Sequence, residues 1–110
     1  MAESTALGAI SYLAERLRVS GIRVNKIILF GSHASGQAVA DSGIDVIIIS
    51  VDFEGKDVFD RARVTKDAEV STIRKFSVPN DIIALTPSEA ESETSLIGGL
   101  ARKGKIVYAA

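Results

Sequence analysis

The chain has 110 residues, 13 basic and 14 acidic side chains, a formal charge of −1, 46% apolar residues and no cysteine. That is enough for one domain with a modest core; it excludes disulfides and thiolate metal centres and offers no basic field for a long nucleic-acid duplex. The N-terminus carries Glu3 and no basic stretch, and the apolar runs fall far short of the ~20 residues that span a bilayer, so a soluble, cytoplasmic protein is expected.

Leu7, Ile10, Leu13, Ala14 and Leu17 recur at helical spacing before Gly21, which predicts an amphipathic helix over 4–19. Val24 to Phe30 is apolar and β-branched, hence a strand. Gly31 to Asp41 has Ser32 as an N-cap and then Ala34, Ser35, Ala38 and Ala40, the pattern of a short helix packed closely on a sheet. Ile44 to Val51 is a second strand. Lys56 to Lys75 reads as a helix with an apolar stripe of Phe59, Ala62, Val70 and Ile73, interrupted by Lys66. Pro79 opens a third strand, Asp81 to Leu85. Thr86-Pro87-Ser88-Glu89 combines a cap, a proline suited to the first turn and a capping-box glutamate. That helix is predicted to run to Lys103, weakened by Gly98-Gly99. Gly104 ends it, and Ile106-Val107-Tyr108 forms a short edge strand. Helices alternating with strands predict an α/β sheet covered by helices, with strand direction left open.

One carboxylate stands where a buried strand should have none. Asp45 interrupts Ile44-Asp45-Val46-Ile47-Ile48-Ile49, and a lone buried carboxylate costs several kcal/mol unless something meets it. Upstream, Leu29-Phe30-Gly31-Ser32 runs a strand into a glycine turn. Such a turn aims backbone N–H groups and a hydroxyl at an anion, although many Gly-Ser turns are only caps. Asp81 also precedes an apolar run. Two strand carboxylates converging at one sheet end would suit Mg²⁺; the plainer reading makes Asp81 a solvent-facing residue at a strand start.

Together, Gly31-Ser32-x-Ala34-x-Gly36 and Ser42-x-Ile44-Asp45 resemble the nucleotidyltransferase fold of the DNA polymerase β type. Within it they are similar to the minimal nucleotidyltransferases, small proteins partnered with HEPN-type proteins as antitoxins. The resemblance implies an α/β fold with a mixed sheet and flanking helices, and a single minimal nucleotidyltransferase-like domain over 1–110. It implies Mg²⁺-dependent transfer of a nucleoside monophosphate from ATP or another NTP to a hydroxyl, including one on a HEPN-type partner. Gly31, Ser32 and His33 then bind nucleotide. Asp45 and Asp81 are then the catalytic carboxylates and metal ligands.

The family pattern Ser-Asp-x-Asp departs here to Ser42-Gly43-Ile44-Asp45. Side chains at 43 and 45 share a strand face, so one carboxylate of an adjacent pair is missing. Losing such a ligand should cost on the order of a hundredfold in rate. Asp41 has the right parity but falls in the preceding turn, and Asp52 and Glu54 follow at the far end of the strand. A second reading is therefore a non-catalytic nucleotide- or partner-binding module, such as an antitoxin acting by association. Arg61, Arg63, Lys66 and Arg74 are a solvated helix face or a surface for a nucleotide or an acidic partner. Tyr12 and Tyr108 are expected to pack. A homo-oligomer stays open.

Overall fold

Alternate apolar residues place four strands side by side, and the chain's connections decide their directions. The structure is a computed structural model and describes residues 3–31, 43–92, 99 and 103–109. Strands β1 (Lys26–Phe30), β2 (Ile44–Ile49), β3 (Asn80–Leu85) and β4 (Lys105–Ala109) form one sheet in the order β3-β2-β1-β4. β1 is antiparallel to both β2 and β4, whereas β2 and β3 are parallel. A parallel pair needs a crossover, and helix α2 (Val58–Phe76) provides it. The sheet is thus mixed and helix-flanked, as the resemblance implied.

The pleat sorts the apolar residues onto two faces. Ile27 and Leu29 of β1 and Ile44, Val46 and Ile48 of β2 pack against helix α1 (Glu3–Val19) and Ala68 of α2. Ile28, Ile47, Ile49 and Leu85 form a smaller cluster on the other face, with Ala90 of helix α3 (Pro87–Glu91). Within β2 every residue is buried except Asp45, which is half-buried. A central strand covered on both faces reads as a continuous apolar run, which is why its one carboxylate was conspicuous.

α1 buries Ile10, Leu13, Ala14 and Leu17 as its spacing predicted, but Leu7 lies exposed and Ala6 and Ala9 are buried in the first turns instead. Gly21 ends it with φ +90°, a value that suits glycine. Tyr12 packs edge-on to Phe76 of α2, with the Lys75 ammonium 5.1 Å from its ring centre. Tyr108, by contrast, stays exposed on β4.

Three boundaries and one helix face differ from expectation. β1 begins at Lys26, and β2 stops at Ile49, because Val51–Phe53 turn into a 3₁₀ helix that buries Phe53. The capping box at Thr86 and Glu89 forms, but Ser92 leaves the helix at ψ 119°, so the helix does not continue unbroken to Lys103; Gly99 and Lys103 are again helical. In α2, Phe59 points outward at 75% exposure. The inward stripe is Thr65, Ala68 and Thr72 instead. Both threonine hydroxyls donate back to helix carbonyls, Thr65 to Arg61 O and Thr72 to Ala68 O, which lets polar residues take inner positions. Residues 32–41 of the predicted helix over Gly31–Asp41, and the Gly98 position, lie outside the described residues.

Two features carry predictions about stability. Asn80 is 5% exposed, and among the described residues neither atom of its amide has a hydrogen-bond partner. Removing an unsatisfied buried amide in favour of an apolar group of similar shape is favourable. Asn80→Leu is expected to raise unfolding free energy by ~1 kcal/mol in urea denaturation; a loss of stability would show that the amide is satisfied.

At the far end of β2, Asp52 accepts from the Arg23 backbone N–H at 2.7 Å and from its guanidinium at 2.9 Å. Those hydrogen bonds hold its carboxyl at about 2, below the ordinary 3.8. An acid with a depressed native pKa binds its proton more readily when unfolded. Its contribution is therefore complete above the unfolded value and lost as pH falls from about 4 to about 2. In acid denaturation followed by circular dichroism, Asp52→Asn should flatten that limb while leaving the neutral-pH slope unchanged.

Candidate active site

β1 runs out at Phe30, and Gly31 turns the chain with φ +75°. A Cβ on Gly31 would sit 2.4 Å from Asp45 Oδ2. Glycine is therefore required twice here, for handedness and for room. The same contact places the Asp45 carboxylate directly against the Gly31 backbone.

Strand register brings in the other members. Phe30 lies opposite Asp45, and Asp45 lies beside Asp81. Register partners on neighbouring strands point to the same face. A row of Phe30, Asp45 and Asp81 thus crosses three strands at one end of the sheet, on the face turned away from α1 and α2. Ile47 and Ile49 continue that face below Asp45 and are buried, so one side of the carboxylate is apolar. Asp81, on edge strand β3, is exposed. Gly31, Asp45 and Asp81 are therefore gathered as the sequence suggested. Ser32, His33 and Asp41 lie outside the described residues.

Gly43 precedes β2, and its φ is not in the left-handed region. A Cβ there would meet Pro79 O at 3.0 Å and Pro79 Cγ at 3.3 Å. A side chain at 43 would therefore press on Pro79, while the backbone there makes no demand for glycine. Among the described residues no group of three or more His, Asp or Glu side chains gathers around one point. Asp45 and Asp81 offer the hard oxygens that Mg²⁺ takes, and such ions complete their shell with water and phosphate.

Sequence reasoning missed Glu69. This half-buried carboxyl on α2 is raised above its ordinary value, first by burial and second by the charge of Asp81, with Lys66 opposing. Nothing in the sequence says that α2 passes near the start of β3. Two of the four basic residues named on α2 are committed within the protein, whereas Lys66 and Arg74 stay exposed. Arg61 is turned inward to Lys56 O, Ala84 O and Glu89, and Arg63 bonds Asp60 at 2.9 Å. Asp52 and Glu54 lie beyond the far end of β2, as expected. Among the described residues no helix is long and apolar enough to cross a membrane.

Comparison with known proteins agrees with this fold. A protein of Methanocaldococcus jannaschii named as a protein adenylyltransferase is 32% identical over 84 residues, which cover 74% of this chain and 56% of that relative. The chain thus spans little more than half the length of that relative. A solved structure from Sulfolobus solfataricus, described as a nucleotidyltransferase, superposes with TM-score 0.65 at 23% identity over 81% of this chain and 74% of its own. A toxin–antitoxin structure solved with AMP-PNP gives TM-score 0.65 at 17% identity, over 94% and 73% of the two chains. The toxin–antitoxin pair MntA-HpeT gives 0.61 at 15%, over 100% and 75%. These structures share the fold. The family model described as "Nucleotidyltransferase domain" matches residues 10–104, most of the chain and the whole of the sheet end described above, and the chain belongs to that family.

Proposed function

We propose that residues 1–110 act as one cytoplasmic nucleotidyltransferase domain that binds ATP or another NTP at the Gly31, Asp45 and Asp81 end of the sheet. The observation that carries this reading is the Asp45 carboxylate held against the left-handed Gly31 turn, level with Asp81. A turn that presents backbone N–H groups receives phosphate oxygens, and Ser32 and His33 follow it in sequence. Asp45 and Asp81 would hold one Mg²⁺ against the phosphates, and that ion supplies charge neutralisation when bound. The acceptor hydroxyl attacks the α-phosphorus, a new O–P bond forms, the α–β bridging bond breaks, and pyrophosphate leaves. Asp81, exposed toward an incoming acceptor, takes the hydroxyl proton. Positioning does most of this work, and the absence of a carboxylate at Gly43 slows it.

The acceptor in this reading is a hydroxyl on a partner protein of the HEPN type. The name of the M. jannaschii relative and the toxin–antitoxin assembly of two structural neighbours support it. Gly43 favours a second reading, in which nucleotide or partner binding persists without transfer and the protein acts as an antitoxin by association.

The test is calorimetric titration with Mg²⁺ and AMP-PNP, together with transfer of labelled AMP to the partner. Asp45→Asn should weaken nucleotide binding about tenfold, or ~1.4 kcal/mol. Equal binding by both proteins would remove Asp45 from the site. Tight binding with no transfer by the natural sequence would select the second reading.

A further inference from the structure

The missing carboxylate has a counterpart on the neighbouring strand. The Pro79 carbonyl accepts the Ile44 N–H at 2.9 Å, just ahead of the parallel ladder in which Ile44 pairs Asn80 and Asp45 pairs Asp81. That hydrogen bond fixes the carbonyl 3.0 Å from where a Cβ on residue 43 would lie, with the proline ring at 3.3 Å. The neighbour would have to retreat by a few tenths of an ångström. Retreat strains the hydrogen bond, and the pyrrolidine ring fixes φ at Pro79, which leaves the backbone one torsion fewer with which to give. A carboxylate at 43 would also face the negative end of a carbonyl dipole. Backbone conformation offers no other reason for glycine, since Gly43 does not occupy the left-handed region.

We infer that Gly43 and Pro79 are a matched pair, and that Pro79 closes the position from which a further carboxylate could reach the site. Pro79 is thus a positioning residue that limits the centre to the oxygens of Asp45 and Asp81. Restoring Asp at 43 alone does not rebuild a two-cation centre; it forces the starts of β2 and β3 apart. The pair deepens the proposed function by assigning to this site a nucleotide that arrives with one cation. Its cation arm rests on that reading, whereas its stability arm does not.

The experiment is a four-protein cycle of the natural sequence, Gly43→Asp, Pro79→Ala and the double variant. Melting temperature is measured, and bound Mn²⁺ is counted from the free-ion paramagnetic resonance signal with AMP-PNP present. Gly43→Asp is expected to melt ~5 °C lower and to bind no additional Mn²⁺. Alanine keeps the carbonyl but removes the ring contact at 3.3 Å and frees φ, so the double variant should recover the part of that loss owed to the ring and bind one Mn²⁺ more than the natural sequence. If Gly43→Asp does not fold, Gly43→Ala in the same cycle probes the same contact. Additive melting shifts would overturn the pairing, as would a Gly43→Asp protein that keeps its stability and gains Mn²⁺ unaided. If no variant binds AMP-PNP, the nucleotide reading falls, while the melting cycle still decides the pair.

Discussion

Arg61→Leu is expected to cost ~3 kcal/mol of unfolding free energy, the upper scale for leaving buried acceptors without their donor. The Arg61 side chain is only 13% exposed. Its Nε donates to Lys56 O at 2.9 Å, and its Nη1 donates to Ala84 O at 3.0 Å and to Glu89 Oε1 at 2.7 Å. One planar group therefore joins the entry to α2, edge strand β3 and the first turn of α3. Leucine fills part of the volume but leaves these acceptors without their donor. Arg61→Lys should recover little, because a single ammonium on a flexible stem cannot reproduce the fork. Glu89→Gln should cost much less: that carboxylate is 44% exposed and water screens it. Chemical denaturation of the three variants measures the order, and an Arg61→Leu loss under ~1 kcal/mol would mean the surroundings re-satisfy those carbonyls.

Gly31→Ala is expected to lose ~2–3 kcal/mol, through a left-handed backbone that costs a non-glycine residue ~1–2 kcal/mol and through collision with Asp45. The added methyl would lie 2.4 Å from Oδ2, a distance no side chain tolerates, so the carboxylate must swing aside. Nucleotide binding should fall with it. The two causes separate in a double variant. Asp45→Ala removes the obstructing group, so Gly31→Ala/Asp45→Ala should be more stable than the sum of the single losses, leaving only the backbone term. Strict additivity in denaturant melts would place the Asp45 carboxylate away from Gly31.

The readable parts of this fold were those set by local chemistry. The α1 stripe, the Thr86 capping box and the Gly31 turn each follow from a few neighbouring residues, and each forms. Asp45 announced itself because a strand buried on both faces has no solvent side on which to hide a charge. Strand direction was not local: only the α2 crossover makes β2 and β3 parallel, and that pairing puts Asp81 beside Asp45. The α2 stripe was misread because threonines that bond their own helix backbone took the inner positions, which left Phe59 outside. Arg61 was read as part of a solvated face for a related reason; sequence gives no sign of carbonyls two elements away that a buried guanidinium can satisfy. Pro79 looked like a strand opener, and its contact with Gly43 exists only once the two strands lie together.

The pairing of β4 with β1 has a consequence for how the chain comes into being. Lys26 lies opposite Ala109, so one side of β1 waits for residues 105–109 to leave the ribosome. Until then β1 can pair with β2 but presents Ile27, Ile28 and Leu29 along an open edge, the kind of strand that other nascent chains join. Loop closure over so long a separation is slow. The residues of β4 thus shield the strand leading into Gly31, and a ribosome stalled shortly before β4 would release a chain with that edge uncovered.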